Sequence, residues 1–560
     1  MKRYILFAAA AVIAMGMVSC EDTLTEKPDS YYDKDTYFDS DSKAEMAIYG
    51  IYSSISNFNH YGQNEMATPA SDDTYFINGT THDNTRRDIA HYMVTPGNSW
   101  LANIWKYDYQ GIDRANLAID GIERMAAFST DSTLRQLDGE AHFLRAFQAF
   151  DLVKYWGDVP FKTTYSQSYS SAFTARVPRD TIYDVIFSDL EYAIAHMPWA
   201  TAASSPERAT QGAARALLMR ACLQRAGYSL HMDGKLKRPD DSRRKAYFQK
   251  VVEQWEAFQK NGYHGFYDGT YEDFFKTFSQ LVLNSKESLF EVAFDYNSAK
   301  RNGGLWGTYN GPQVAAPVLS SPSDASKYMG RANAFFRVVP EWYDFFDEND
   351  SRRDVMICRY RYDWNKTTKQ QVKSKTLGKT TWYPGKWRRE WMALGFEDPN
   401  NTDVNFCPLR YADVVLMAAE AYNELGQTDE AWKLINMVRQ RAGAALVSDA
   451  NYAAVYKAPK VYDLPFIDDS DEQGKVRTAL YWERGFELAF EGQRKYDLIR
   501  WGVLKEALTL FGEKSYVNRT TNKAYPAYIN FVSGKHELFP IPLGEMQSNG
   551  KLEGKNNPGY

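Results

Sequence analysis

Apolar residues recur every three or four positions along several long stretches of the chain, which is the spacing of amphipathic helices. The first stretch, Asp41–Ile55, carries Ala44, Ile48 and Ile51 on neighbouring turns. The same spacing predicts further helices over residues 105–128, 131–156, 181–196, 209–228 and 243–260. Because these helices follow one another in pairs of similar size, the pattern predicts stacked helical hairpins.

The clearest hairpin is predicted within residues 410–443. Gly426 would end its first helix, Thr428 would cap the second, and Gly443 would close it. The turn resembles that of a tetratricopeptide repeat. We therefore expect a mainly α fold of tetratricopeptide-like stacked helical hairpins, an α–α superhelix, completed by helices over residues 474–491 and 494–510.

Two stretches interrupt the helical pattern, residues 56–100 and 262–408. Both mix Gly, Asn and Pro with scattered Tyr and Trp. Loop-rich regions of this length are usually functional. The second stretch predicts a loop-rich lobe that covers one side of the helices.

The N-terminus has the pattern of an exported lipoprotein. Lys2 and Arg3 precede an apolar run over residues 4–18, which is shorter than the roughly 20 residues that span a bilayer. Ser19 and Cys20 then fit a cleavage site. The sequence predicts a signal peptide over residues 1–19 and a lipid-anchored Cys20, with an ordinary signal peptide and a chance cysteine as the alternative.

Composition narrows the functional classes. The formal net charge of −5 gives no basic footprint for nucleic acid, and the mean hydropathy of −0.54 excludes a body that crosses the membrane many times. The 39 Tyr, 31 Phe and 14 Trp exceed what a helical core requires. Such rings are suited to amphipathic contact surfaces.

Cysteine and histidine spacing favours neither a disulfide framework nor a helix-borne metal site. Cys222 lies in an apolar helical run, whereas a bond between Cys358 and Cys407 is left open. No two histidines fall within one helical turn. No metal site or cofactor is predicted, although a structural calcium ion is left open.

Motifs of catalysis are also weak. The segment 378–380 ends like a phosphate loop, but Lys373 stands where a glycine is required. Asp72 and Asp73 could act as glycosidase carboxylates, yet a pair among 71 acidic residues is uninformative. We expect no catalytic residues.

Seven blocks, in order, resemble the SusD/RagB family, the surface glycan-binding lipoproteins of a phylum of Gram-negative bacteria. Each block is moderately specific, whereas their joint order over nearly the whole chain is highly specific. The blocks are SKAEMAIYGIYSSI, WKYDYQGIDRAN, GEAHFLRAFQAFDLVKYWGDVPF, NDSRRD, RYADVVLMAAEAYNELG, YWERGFELAFEGQRKYDLIRWG and FPIPLGEMQSNGKLEGKNNPGY.

This resemblance implies one SusD-like domain over residues 20–560, with a helical part over 21–260, a loop-rich lobe over 261–408 and C-terminal hairpins over 409–560. It implies a lipid-anchored protein on the outer face of the outer membrane that captures oligosaccharides or polysaccharides. A SusC-like TonB-dependent transporter would be its partner. A peptide-capturing lid of a SusC-like peptide importer and, less favoured, a glycoside hydrolase stay open as alternatives.

The ligand site is predicted in the loop-rich stretches, since the family builds its sugar site largely from an early loop and a middle lobe. The candidates combine rings with hydrogen-bonding groups: Asp73, Arg86, Trp100, Tyr296, Trp306 and Tyr309. Trp306 is favoured because its neighbours Gly304 and Gly307 would bury an indole poorly. For every ring the alternative is local loop packing.

Charged residues in the family blocks are predicted to be structural. Arg145 and Asp151 should pair with neighbouring charges. A buried or half-buried ion network should dock the late helices, because unpaired buried charges are very costly. Its predicted members are Glu483, Arg484, Glu487, Glu491 and Arg494.

Overall fold

A computed structural model describes residues 37–65, 71–76, 81–296, 302–456, 470–516 and 526–560. Cys20 lies outside these residues. The N-terminal helices are α1 (Asp41–Ile55), α2 (Arg86–Ala90), α3 (Ser99–Glu123), α4 (Ser132–Trp156), α5 (Tyr169–Ala172), α6 (Arg179–His196), α7 (Gln211–Ala226) and α8 (Asp241–Asn261). Short strands lie between them: β1 (Thr74–Phe76), β2 (Val159–Pro160), β3 (Arg176–Val177), β4 (Ser229–Leu230) and β5 (Leu236–Lys237).

The middle region contains short elements joined by long loops. Its helices are α9 (Tyr271–Gln280), α10 (Glu341–Phe345) and α11 (Arg352–Met356). Its strands are β6 (Ser288–Val292), β7 (Phe336–Val338), β8 (Ile357–Cys358), β9 (Tyr362–Asn365), β10 (Gln370–Lys373), β11 (Tyr383–Pro384) and β12 (Phe406–Arg410). The strands pair two by two and antiparallel, as β1–β7, β2–β3, β4–β5, β6–β12, β8–β11 and β9–β10.

The C-terminal helices are α12 (Tyr411–Glu424), α13 (Thr428–Ala442), α14 (Tyr452–Val455), α15 (Glu472–Leu488), α16 (Arg494–Arg500), α17 (Leu504–Lys514), α18 (Pro526–Asn530) and α19 (Leu543–Ser548). The long helices stack in a row: α1 packs on α3, α3 on α4, α4 on α6, α6 on α7, α7 on α8, α8 on α12, and α12 on α13 and α15. This arrangement confirms the mainly α fold of stacked hairpins.

Helix α4 lies at the centre of the N-terminal stack. It is buried on nearly every side from Leu134 to Trp156, which marks a helix enclosed by protein. Asp131 caps it by accepting from the backbone N–H of Thr133 at 2.7 Å. At its C-terminal end Gly157 takes φ of +72°, a conformation that favours glycine, so the predicted stop is confirmed.

Several predicted helix limits are wrong for local reasons. Helix α3 begins six residues before the predicted start, because Asn98 accepts from the N–H groups of Trp100 and Leu101, each at 3.1 Å. Thr428 is the first residue of α13, and Gln427 occupies the cap position without a side-chain cap. The helix predicted over 494–510 is divided into α16 and α17 around Gly502, where φ is +77°.

The predicted ion network is present and reaches further than its five members. Glu487 is fully buried and faces three guanidiniums, at 2.7 Å from Arg410, 3.3 Å from Arg352 and in contact with Arg441. Burial acts to raise the pKa of Glu487, but these arginines lower it to about 2. The network thus joins α15 to the middle region and to α13.

The other members pair in the same way. Arg484 bridges Asp413 at 2.7 Å and Asp497 at 2.8 Å, and Glu491 accepts from Arg410 at 2.7 Å. The remaining pairs are Glu483 with Arg352 and Arg439, Arg494 with Asp72, Arg145 with Asp189, and Asp151 with Lys154. These ion pairs confirm the predicted structural role.

The described cysteines are free and buried. Cys222 is completely enclosed, as predicted for a core residue. Cys358 donates towards the carbonyl of Tyr360 and Cys407 towards that of Leu409. No bond joins Cys358 to Cys407. Separately, none of the helices in the described ranges combines the length and apolar character that a membrane crossing requires.

Candidate functional site

The two loop-rich stretches meet at the antiparallel pair β1–β7. Thr74 lies opposite Val338 and Phe76 opposite Phe336. The carbonyl of Asp73 extends the contact by accepting from the N–H of Val339 at 2.8 Å. Residues far apart in the chain therefore form one face, as the predicted site requires.

An arginine and three rings cluster at this junction. The guanidinium carbon of Arg86 lies 4.0 Å from the centre of the Phe335 ring, 5.2 Å from that of Tyr309 and 5.7 Å from that of Trp100. The Trp100 and Tyr309 rings are nearly parallel, with centroids 6.5 Å apart. We call these four residues the arginine–aromatic cluster. Trp100 is buried, whereas the other three are half-buried.

Backbone contacts fix Arg86 over Trp100. The carboxylate of Asp88 accepts from the N–H groups of Asp83 at 3.1 Å and Asn84 at 3.0 Å, which closes the loop before α2. The carbonyl of Asn84 then accepts from the N–H of Ser99 at 3.2 Å. The start of α2, with Arg86, is thus attached to the start of α3, with Trp100.

Tyr309 and Phe335 are held together in the opposite part of the junction. The carbonyl of Tyr309 accepts from the N–H of Phe335 at 2.8 Å, and the two rings meet edge to face with centroids 4.8 Å apart. Burial raises the pKa of the Tyr309 hydroxyl, against the opposing effect of Arg86. The hydroxyl is therefore a neutral hydrogen-bonding group at physiological pH.

Arg86 has unused bonding capacity. Within the described residues it makes no hydrogen bond or ion pair, and its Nε is buried without a partner. Neighbouring carboxylates are occupied, since Asp83 and Asp88 accept from backbone amides. A guanidinium with five donors that lies against rings can bind hydroxyl or carboxylate oxygens of a ligand.

The other three predicted residues lie outside this cluster. Asp73 is buried, where its carboxylate accepts from Ser71 and from Thr74 at 3.2 Å. Burial and the neighbouring charge of Asp72 raise its pKa. Tyr296 is half-buried, its N–H donates to Asp403, and the described residues include no ring contact between Tyr296 and the cluster.

Trp306 is a core residue, so the expectation that its glycine neighbours would leave the indole poorly buried is wrong. It is 3% exposed. It stacks on Phe406 with centroids 4.1 Å apart, and its Nε1 donates to the carbonyl of Tyr61 at 3.0 Å. Glycine admits close approach instead of preventing it: a Cβ at Gly304 would lie 3.3 Å from the Phe294 ring.

The Asp72 carboxylate is committed to an ion pair. It receives two hydrogen bonds of 2.8 Å from Arg494 and one from the Tyr481 hydroxyl. Such a bidentate pair fixes the geometry of both side chains as well as pairing their charges. Asp72 therefore connects the early loop to α15 and α16.

Phe335 is the cluster member that the sequence did not identify. Its position depends on the pairing of β1 with β7, which joins residues more than 250 positions apart. Neither strand has a distinctive pattern, because each is three residues long. The adjacent Phe335 and Phe336 in a loop-rich stretch were the available signal.

Comparison with known proteins gives a consistent result along the chain. Residues 286–560 match a family model described as SusD family, and residues 22–223 match one described as starch-binding associating with outer membrane. SusD-like protein P25 of Formosa agariphila is 26% identical, and the alignment covers 97% of each chain. SusD-like protein P2 of the same organism is also 26% identical, over the full length of both chains.

Solved structures share the fold. A SusD homolog from Bacteroides thetaiotaomicron aligns with a TM-score of 0.76 and 25% identity, covering 94% of this chain and 98% of the homolog. Surface glycan-binding protein A from the same organism, in complex with laminarihexaose, aligns with a TM-score of 0.67 and 19% identity, covering 92% of this chain and 99% of the other. From the two family models and the full-length relatives it follows that this chain belongs to the SusD/RagB family.

Proposed function

We propose that this protein is a cell-surface lipoprotein that binds glycans at the arginine–aromatic cluster and delivers them to a SusC-like TonB-dependent outer-membrane transporter. The observation that carries the proposal is the guanidinium of Arg86, which lies over three rings and is without a protein partner among the described residues. No catalytic step is required.

The chemistry of the cluster suits a neutral sugar. Pyranose rings have C–H faces that pack on aromatic side chains, and their hydroxyl rims accept from guanidinium and phenol groups. Tyr309 and Phe335 supply half-buried ring surface, and Arg86 supplies donors. The site combines apolar faces with a few oriented polar groups, as small-molecule sites do.

Relatives support glycan binding as the class of function. One structural neighbour is described as a laminarin-binding SusD-like protein, with a TM-score of 0.66 and 23% identity over 93% of this chain and all of the neighbour. Another carries laminarihexaose. A β-glucan is therefore the first ligand to test.

Location and partner follow from the predicted lipidation of Cys20 and from the family. One matching model is described as associating with the outer membrane. A lipid anchor on Cys20 would keep the cluster beside its transporter at the cell surface. Co-purification of the full chain with a SusC-like transporter from its native outer membrane is the direct test of this partnership.

Binding is tested by calorimetry with a panel of polysaccharides that includes laminarin, starch and a charged glycan. Arg86→Gln and Tyr309→Ala should each weaken binding at least about tenfold, equivalent to 1.4 kcal/mol. Tyr169→Ala is the matched control, because Tyr169 is 78% exposed and its ring contacts Phe173, which is not a cluster residue.

Unchanged affinity in both cluster variants would refute the proposed face. Preference for protease digests over every polysaccharide would favour the peptide-capturing lid instead. Release of shorter sugars by the purified protein would overturn the binding-only function.

A further inference from the structure

A second group of chemically active side chains lies in the interior, apart from the arginine–aromatic cluster. It consists of His60 and Glu65, from the turn after α1, with Asp108 of α3 and Asp151 of α4. His60 and Asp108 are completely buried, and the Glu65 side chain is 6% exposed. We call these four residues the interior carboxylate–histidine group.

Four polar atoms of this group have no hydrogen-bond partner, whereas both oxygens of Asp151 accept, from the Tyr61 hydroxyl at 2.6 Å and from Lys154 at 2.5 Å. His60 Nε2, Glu65 Oε1 and both carboxylate oxygens of Asp108 are buried and have no hydrogen-bond partner. Nε2 lies 3.4 Å from Asp108 Oδ1 and 3.6 Å from Glu65 Oε1. Unpaired buried polar atoms cost free energy and need an explanation.

The position of the proton on the His60 ring shows why Nε2 has no partner. Its Nδ1 lies 3.1 Å from the carbonyl oxygen of Ser54, an acceptor, so Nδ1 carries a proton. In the neutral ring Nε2 therefore presents its lone pair to the two carboxylates. A proton on Nε2 would not join them well, because hydrogen bonds between nitrogen and oxygen span about 2.7–3.2 Å.

The 3.4 Å between His60 Nε2 and Asp108 Oδ1 matches the separation of two ligands of one small metal ion. Two nitrogen or oxygen ligands, each about 2.1 Å from a tetrahedral ion, lie about 3.4 Å apart. Ligand atoms of His60, Asp108 and Asp151 all fall within 4.8 Å of one another. The bond from His60 to a backbone carbonyl is also the usual outer-shell contact of a metal-binding histidine.

The net charge of the interior carboxylate–histidine group also favours a divalent cation. Three carboxylates face one ammonium, that of Lys154, which lies 2.5 Å from Asp151 Oδ1. Two negative charges are then left, and one divalent cation would neutralise them.

We propose that His60, Asp108 and Asp151, with Glu65 beside them, form a structural site for a divalent transition-metal ion such as Zn²⁺ or Mn²⁺. The imidazole and the short ligand separations favour such an ion over Ca²⁺, which takes six to eight oxygens at longer distances. This site would correct the sequence-based expectation of no metal.

The metal would secure the turn that supports the middle region. The carbonyl of Tyr61 accepts from Trp306 Nε1 at 3.0 Å, and that of Gly62 accepts from the N–H of Leu305 at 2.7 Å. Both acceptors directly follow the ligand His60 in the chain. The ion would therefore fix the connection between the helical stack and the lobe that carries Tyr309.

The test measures metal content and thermal stability of the purified mature chain. The protein is stripped with a chelator, dialysed against ZnCl₂, MnCl₂ or CaCl₂, washed and analysed by mass spectrometry for metals. We expect about one zinc or manganese ion per chain, a lower melting temperature after chelation, and recovery on adding the metal back.

Asp108→Asn should reduce the bound metal at least about tenfold and make the melting temperature insensitive to chelator. The matched control is Glu291→Gln, which changes another buried carboxylate, one bonded to Asn405 at 3.0 Å. This control should retain the metal.

Three results would overturn the proposal. The first is a wild-type chain without stoichiometric zinc or manganese and with the same melting temperature in chelator. The second is full metal content in a folded Asp108→Asn variant. The third is recovery by calcium alone. The wild-type measurements decide the matter even if the variant fails to fold, and none depends on glycan binding.

Discussion

Glu487→Gln tests whether the buried ion network stabilises the fold. The substitution keeps the shape of the side chain but removes the charge that faces Arg352, Arg410 and Arg441. Removing one partner of a buried ion pair leaves uncompensated charge and typically costs about 3–5 kcal/mol.

The pKa of Glu487 gives a second value for the stability that its charge contributes. A lowering from 4.5 to about 2 in the folded state corresponds to about 3 kcal/mol, at about 1.4 kcal/mol per pKa unit. Because the folded pKa lies below the unfolded one, this stability is fully present above pH 4.5 and is lost as the pH falls through 2. The two routes agree on the size of the effect.

The assay is denaturant unfolding of wild type and variant between pH 2 and pH 7. The free energy of unfolding should fall by about 3 kcal/mol in Glu487→Gln at pH 7, and the difference should shrink steadily below pH 4.5. Glu430→Gln, in an exposed pair with Lys433, is the control and should change little. A loss below about 1 kcal/mol, or one independent of pH, would refute the reasoning.

Three further predictions follow from burial and chain position. Trp306→Ala should lower the free energy of unfolding by about 3–5 kcal/mol in denaturant titration, because it empties a core position. A loss below about 1 kcal/mol would contradict the packing of Trp306 on Phe406. Burial lowers the pKa of Lys495 from 10.5 to about 7, so burying its ammonium destabilises the fold fully below pH 7 and less as the pH rises towards 10.5. Lys495→Met should therefore raise the free energy of unfolding most at or below pH 7. An increase that grows with pH would be inconsistent with this reasoning. Cys20→Ala should abolish labelling by radioactive palmitate and move the protein out of the membrane fraction, whereas retention there would argue against the lipid anchor.

The helices were predictable because their signals are local. Asp41–Ile55 has the predicted limits, and α4 begins directly after its cap, Asp131. Apolar spacing and capping residues act within a few positions, so a single sequence contains them. The early start of α3 was missed because Asn98 lies among the polar residues of a loop.

The site was predictable only in part. Arg86, Trp100 and Tyr309 come together as expected, but the reason is the pairing of two three-residue strands distant in the chain. Trp306 shows the limit of local argument, since its burial depends on Phe406, a hundred positions away. Composition identified suitable residue types, whereas long-range contacts decide which of them meet.

The same long-range contacts explain how a loop-rich face can be rigid. The early loop is held by the Asp72–Arg494 ion pair and by the Trp342 Nε1–H, which donates to the carbonyl of Asp72 at 2.7 Å. Strand β1 begins two residues after Asp72 and pairs with β7, so these contacts also restrain the cluster. A site held in place before binding loses less conformational entropy when the ligand arrives. Weakening Asp72–Arg494 should therefore reduce glycan affinity without altering any residue of the arginine–aromatic cluster.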